Sequence, residues 1–166
     1  MFSSPIGALL DELGKSSVLS LGALHLNSQN TCLIRLASGL NLQFEMDKYE
    51  KNLIIGSVLG EVQRGKYRND LFREALKANG LPPPRYGTLA FSSQTESLVL
   101  HDFLDMRDLR AEQLAEYLVP FLEKAKIWQE AIMGNNLPAL TPMESPTGKL
   151  GIFGLQGLRG IPGIRL

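Results

Sequence analysis

The stretch Gly60-Glu61-Val62-Gln63-Arg64-Gly65-Lys66-Tyr67 satisfies G-x-x-x-x-G-K, the spacing of a loop whose backbone N–H groups cradle phosphates while its lysine reaches them. Tyr67 stands where a serine or threonine would hold the magnesium ion, and the Glu61 carboxylate would repel phosphate oxygens. Further on, Leu98-Val99-Leu100-His101-Asp102 ends an apolar run in an acid, as a metal-positioning carboxylate would. Together these motifs keep open a nucleotide-binding enzyme built on the imperfect loop 60–67. The other reactive side chains are scattered. His25 and His101 each sit alone in an apolar run, without the convergent partners a metal site needs. Cys32, inside Thr-Cys-Leu-Ile-Arg-Leu, reads as a small core residue with no base beside it to activate a thiolate. Asp102, Asp105 and Asp108 are interleaved with Phe103, Leu104 and Met106 and lack the glycine and closing glutamate of a calcium loop.

The elements that would position these groups follow from apolar periodicity. Ser3-Ser4-Pro5 opens a helix whose Ile6, Leu9, Leu10 and Leu13 recur at i, i+3, i+4 and i+7 until Gly14. Residues 20–26 and 31–36 read as two strands of a hairpin around Asn27-Ser28-Gln29-Asn30. Leu40, Leu42, Phe44 and Met46 alternate with polar residues, the period of a strand with one buried face. The stretch 53–59, Leu-Ile-Ile-Gly-Ser-Val-Leu, is a further strand or a continuation of the sheet's edge. A second helix starts near Asn69 or Asp70 and ends at Asn79-Gly80, before Pro82-Pro83-Pro84. Strands 88–92 and 97–102 form another hairpin. A long helix from about Leu109 to Ile132 is capped by Asp108, carries Leu114, Leu118, Phe121, Ala125 and Trp128 on one stripe, and should kink at Pro120. This order predicts an α+β fold: a twisted, mainly antiparallel sheet flanked by three helices over residues 1–133, with a Gly/Pro-rich, flexible tail over 134–166.

Composition excludes several function classes. The 166 residues are 44% hydrophobic and 20% charged, ordinary for one soluble domain. No apolar run approaches the roughly 20 residues of a membrane span. Asp11 and Glu12 interrupt the start, so no secretory leader is read, and a single cysteine fits a reducing cytoplasm. Residues 1–133 hold 14 Lys and Arg against 16 Asp and Glu, a net of −2, while 134–166 hold three against one. Without a basic cluster in the body, nucleic acid is not an expected partner. A body rich in apolar positions but lacking a convergent polar constellation points to work done by surfaces.

Four segments carry a family likeness. They are IGALLDELGK; GALHLNSQNTCLIRL leading to LNLQFEMD; LFREALKANG followed by YGTLAFSSQTESLVLHDFL; and AEQLAEYLVPFLEKAKIWQEAI. The third is the most specific, with a helix ending Leu-x-x-Asn before Gly-Thr-Leu-Ala-Phe. In this order the sequence resembles the Tir chaperone family, the class I chaperones of bacterial type III secretion, over about residues 6–133. The resemblance implies a cytoplasmic homodimer that binds an unfolded N-terminal segment of secreted effector proteins and keeps them soluble and secretion-competent. It implies presentation to the secretion ATPase or sorting platform, and neither catalysis nor a cofactor. It assigns effector binding to Leu10, Leu13, Leu24, Leu26, Ile34, Leu36, Leu42 and Phe44, and the dimer interface to Leu71, Phe72, Ala75, Leu76, Leu98 and Leu100. A regulatory or scaffold protein of the same fold that binds a folded partner is a further alternative.

The end of the chain, GKLGIFGLQGLRGIPGIRL, has glycine at every third position from Gly148 to Gly163. With one proline in that repeat, Pro162, it is too short and proline-poor for a collagen strand. The residues after the glycines are Lys149, Ile152, Leu155, Leu158, Ile161 and Ile164, so a three-residue turn would align five apolar side chains along one edge, as in a client segment. The expectation is that it competes for the chaperone's groove.

Overall fold

A computed structural model describes residues 4–140; the glycine-triplet segment lies outside them. Helix α1 (Pro5–Gly14) begins where the Ser4 hydroxyl accepts the Gly7 N–H at 3.3 Å, with Pro5 in the first turn, where its missing N–H leaves no gap. The chain then folds back on the helix end. A side chain at Gly14 would stand 2.4 Å from the Gly22 carbonyl oxygen, so only glycine fits.

Strands β1 (Thr31–Arg35), β2 (Asn41–Met46) and β3 (Asn52–Glu61) follow as a meander, then α2 (Lys66–Asn79), β4 (Thr88–Ser92), β5 (Ser97–Asp105) and α3 (Ala111–Met133). The sheet order is β1-β2-β3-β5-β4, and every neighbouring pair is antiparallel. Short turns make the meander; α2 carries the chain to the far edge, and β5 returns between β3 and β4. The α+β architecture read from the sequence is the observed one.

The differences are local. Residues 20–26 are not a strand, because Ser20 and Gly22 take φ of 48° and 75°, outside the extended region. Leu19, Leu21, Leu24 and Leu26 still pack half-buried on the core, so the apolar alternation was correct and its backbone was not. Residues 53–59 belong to β3, the middle of the sheet, and not to an edge. Helix α2 starts at Lys66, with Gly65 as its cap and no side-chain cap bond. Helix α3 starts at Ala111, where the Gln113 side chain accepts the Arg110 N–H at 3.0 Å, in place of a cap by Asp108. Pro120 is buried inside α3, which continues to Met133.

The core lies on one face of the sheet. Leu42, Phe44, Leu53, Ile55, Leu98 and Leu100 are buried there against Leu10 and Leu13 of α1, Leu71 of α2, and Leu114, Leu118, Phe121 and Trp128 of α3. Ser57 is buried in the same layer, and its hydroxyl has no hydrogen-bond partner among the described residues. Among the described residues the opposite face carries no helix.

Candidate functional site

The two sheet edges differ in how their backbone is finished. At β1, Leu36 N–H donates to the Leu40 carbonyl at 2.8 Å, which sets the alternation of the β1–β2 ladder. Cys32, Ile34 and Leu36 therefore turn their backbone groups toward β2, and Thr31, Leu33 and Arg35 turn theirs outward. Asn27 closes the Thr31 position: its N–H donates to the Thr31 carbonyl at 2.9 Å, and its Oδ1 accepts the Thr31 N–H at 3.0 Å. Beyond it, no backbone hydrogen bond reaches the outer groups of Leu33 and Arg35 among the described residues. The Leu33 side chain is 65% exposed. Beside this open edge Leu24, Leu26, Ile34 and Leu36 form a half-buried apolar margin. Cys32 lies beneath it, its thiol pKa raised by burial and drawn partly back by a backbone hydrogen bond from His25.

At β4 the edge is capped at Leu89. The Asn79 side chain donates to the Leu89 carbonyl and accepts the Leu89 N–H, each at 2.9 Å, so one amide satisfies both outward groups of that residue. Only an amide supplies a donor and an acceptor in this fork, which is the physical content of asparagine at the end of Leu-x-x-Asn. Farther along β4, Phe91 packs on Phe72 at 4.9 Å between centroids, and the Arg68 guanidinium covers both rings while pairing with Glu96. Leu76 projects from α2, 72% exposed.

These positions can be set beside the sequence assignments. Of the effector-binding set, Leu10, Leu13, Leu42 and Phe44 are at most 1% exposed, inside the protomer core, whereas Leu24, Leu26, Ile34 and Leu36 line the β1 margin. Of the interface set, Leu71, Ala75, Leu98 and Leu100 are buried in the protomer, while Phe72 is half-buried and Leu76 open. Periodicity identifies the apolar positions and cannot separate core from margin. It also passed over the uncovered sheet face, where Ile54, Val58, Val99 and Phe103 share the two central strands. The signal was present in Leu-Ile-Ile-Gly-Ser-Val-Leu: a strand with one wet face should alternate, and this one does not.

The polar groups hold structure in place. Lys124 is 7% exposed, and its Nζ donates to the Arg85 and Gly87 carbonyls at 2.8 Å each, fastening the loop that enters β4. Burial lowers its pKa to about 8, against the opposing pull of Asp102. The Tyr117 hydroxyl donates to Asp102, and burial with that carboxylate raises the phenol's pKa. The loop 60–67 is not arranged as a phosphate cradle. Lys66 pairs with Asp70 at 3.2 Å, the Tyr67 hydroxyl points to the Ala131 and Asn136 carbonyls, and β5 separates β3 from β4. Among the described residues no three His, Cys, Asp or Glu converge as a metal set, and no helix is long and apolar enough to cross a membrane.

Residues 8–129, from α1 to the last turn of α3, match the Tir chaperone protein (CesT) family. The chain belongs to this family. Its fold recurs in solved structures of the same kind. A chain of the HopA1–SchA chaperone–effector complex is 19% identical with a TM-score of 0.62, covering 76% of this chain and 94% of that one. A chain of the Yersinia pestis type III secretion chaperone SycH in complex with a fragment of YscM2 is 20% identical with a TM-score of 0.55, covering 72% and 95%. A chain of the ExsC–ExsE complex is 15% identical with a TM-score of 0.59, covering 84% and 98%. No curated protein sequence matches. In this chaperone fold the open β1 edge and the capped β4 edge lie at opposite ends of one sheet.

Proposed function

We propose that this Tir-family chaperone is a cytoplasmic, non-enzymatic type III secretion chaperone that binds a non-globular N-terminal segment of effector proteins as an added strand on β1. Residues 1–133 are the chaperone domain, and two copies associate through α2 and β4, with Leu76 and Phe72 at the contact. The observation that carries the reading is the pair of backbone positions at Leu33 and Arg35 without partners among the described residues, flanked by the half-buried Leu24, Leu26, Ile34 and Leu36. An extended segment gains main-chain hydrogen bonds from such an edge and side-chain burial from its apolar margin. Ordering a disordered client costs entropy, so the apolar margin must supply part of the affinity. Delivery to the secretion ATPase or sorting platform would follow from the client remaining unfolded.

The test begins with affinity capture from the native host and the mass of the complex in solution, then uses the isolated N-terminal segment of the captured client. Leu33→Pro removes the outward N–H without touching the β2 ladder, a change that edge strands accept. It should weaken binding about tenfold or more, given roughly 1.4 kcal/mol per tenfold, while Leu33→Ala has a smaller effect and both variants stay folded by circular dichroism. Equal binding by Leu33→Pro, or a monomer that captures nothing, would refute the proposal.

A further inference from the structure

The open edge of β1 has apolar side chains on both of its sides. The outward backbone groups of Leu33 and Arg35 have no backbone partner among the described residues. Leu24, Leu26, Ile34 and Leu36 form the half-buried margin toward the core, and Leu33, 65% exposed, stands on the other face of the sheet. A strand that completes this edge therefore gains cross-strand contacts from apolar residues on both of its own faces.

We propose that residues 150–155 of the same chain add to β1 as that strand, a tethered competitor that effector segments must displace. The inference rests on the reading of β1 as a client edge and names how that edge is regulated. The segment is additional to the shared fold: the family match stops at residue 129, and the solved structures are covered over 94–98% of their own length while covering only 72–84% of this chain. Between Pro146 and Pro162 no proline interrupts the chain, so every residue there has an N–H to donate to a neighbouring strand. In extended form Leu150 and Ile152 share one face and Phe153 and Leu155 the other, which matches the two apolar sides of the edge.

The segment is long enough to arrive there. Leu140 packs against the core, and Ala139 lines a small cavity with Pro84, Lys124 and Trp128, beside the loop that enters β4. The path from there to β1 crosses about 19 Å of sheet, at about 4.8 Å per strand, and a helix layer about 10 Å deep. Residues 141–149 can span roughly 30 Å when extended. Gly151 and Gly154 keep the pairing weak, since glycine has no side chain to pack and loses more freedom in a strand. With a millimolar effective concentration from tethering and an intrinsic Kd of about 0.25 mM, the edge is free about one fifth of the time. Its outward amides then exchange about fivefold more slowly than those of an unoccupied edge, and it binds a client about fivefold more weakly. A competitor of this strength guards the edge against indiscriminate pairing and still yields to a client.

The full-length chain carries the test, compared with the double variant Ile152→Pro, Leu155→Pro. Alternate residues of a strand turn their N–H groups to opposite sides, and positions 152 and 155 differ in parity, so a donor toward β1 is lost in either register. Both positions lie outside the family domain, so its folding is untouched. Amide exchange at Leu33 and Arg35, followed by NMR, should be about fivefold faster in the double variant. The client segment captured from the host should bind that variant about fivefold more tightly. Benzoylphenylalanine in place of Phe153, irradiated in a mixture of isotopically light and heavy chains, should crosslink to residues 24–36 of the same chain. Exchange or client affinity unchanged in the double variant, crosslinks to residues 54–58 or 99–103 in place of 24–36, or crosslinks found only between light and heavy chains would each overturn the proposal. The client edge is tested apart from the competitor by adding Leu33→Pro to the double variant, where client binding reports on β1 alone.

Discussion

Replacing Asn79 with alanine removes two hydrogen bonds at once and strips both partners from the backbone of Leu89, a residue only 5% exposed. Each net bond contributes about 1 kcal/mol, and an unsatisfied buried group costs about 1–3 kcal/mol. Partial access of water at the sheet edge places the sum near the lower end. Asn79→Ala is therefore expected to lose about 2–4 kcal/mol in urea unfolding, with Tm lower by on the order of 10 °C for a domain of this size. The measurement is made at one fixed protein concentration, because association would add to the apparent stability. Asn79→Asp separates the two bonds: it keeps an acceptor for the Leu89 N–H but turns a second carboxylate oxygen toward the Leu89 carbonyl. It should be at least as destabilised as Asn79→Ala, and increasingly so as pH rises through the carboxylate range. A loss below about 0.5 kcal/mol for alanine, the range of an ordinary surface substitution, would refute the fork as the clamp between α2 and β4.

Other expectations follow from single side chains. Ser57→Ala removes a buried hydroxyl without a partner among the described residues and should raise the urea midpoint, by about 1–2 kcal/mol in stability; a lower midpoint would mean the hydroxyl is bonded. Lys124 has a folded-state pKa of about 8 against 10.5 unfolded, so between these values the unfolded chain holds more protons and stability rises with pH. The gain from this group between pH 7 and pH 9.5 is about 2 kcal/mol, read as the changing stability gap between wild type and Lys124→Met. The window closes there because Tyr117, whose pKa is raised, acts in the opposite sense above pH 10, its unfolded-state value. A constant gap across that window would contradict the burial of the ammonium. Gly14→Ala sets a Cβ 2.4 Å from the Gly22 carbonyl oxygen and should destabilise by about 1–3 kcal/mol, checked by thermal unfolding.

The legible parts of the fold were those in which a local pattern and its tertiary role coincide. Ser4 and Pro5 start α1 by their own chemistry, and the stripe from Leu114 to Trp128 is buried as its spacing requires. Residues 20–26 failed because alternation reports which side chains turn inward, and an irregular chain with two positive φ values can turn the same leucines inward without pairing. The site was legible only to the level of apolar position. Leu42 and Ile34 stand opposite each other on paired strands, yet Leu42 is fully buried and Ile34 is not, a difference set by which strand is the edge. Strand order is a long-range property that periodicity does not contain.

Polar residues marked the decisive places more sharply than apolar ones did. Asn27 and Asn79 both supply a carbonyl oxygen to an outward N–H of an edge strand, one at Thr31 and the other at Leu89. Each closes both outward groups of one residue, and beyond them no backbone hydrogen bond reaches the outward groups of Leu33 and Arg35 on β1 or of Phe91 on β4 among the described residues. An unprotected edge invites pairing with any extended chain, so a protein that keeps one needs a use for it. The two asparagines act as paired stops on a single sheet, and the edges differ beyond them: on β4 the Phe91 side chain is covered by Phe72 and Arg68, whereas on β1 Leu33 is exposed and leaves room for a further strand. By this logic, a side chain able to reach the Leu33 N–H as Asn79 reaches that of Leu89 would close the β1 edge at that residue without altering the fold.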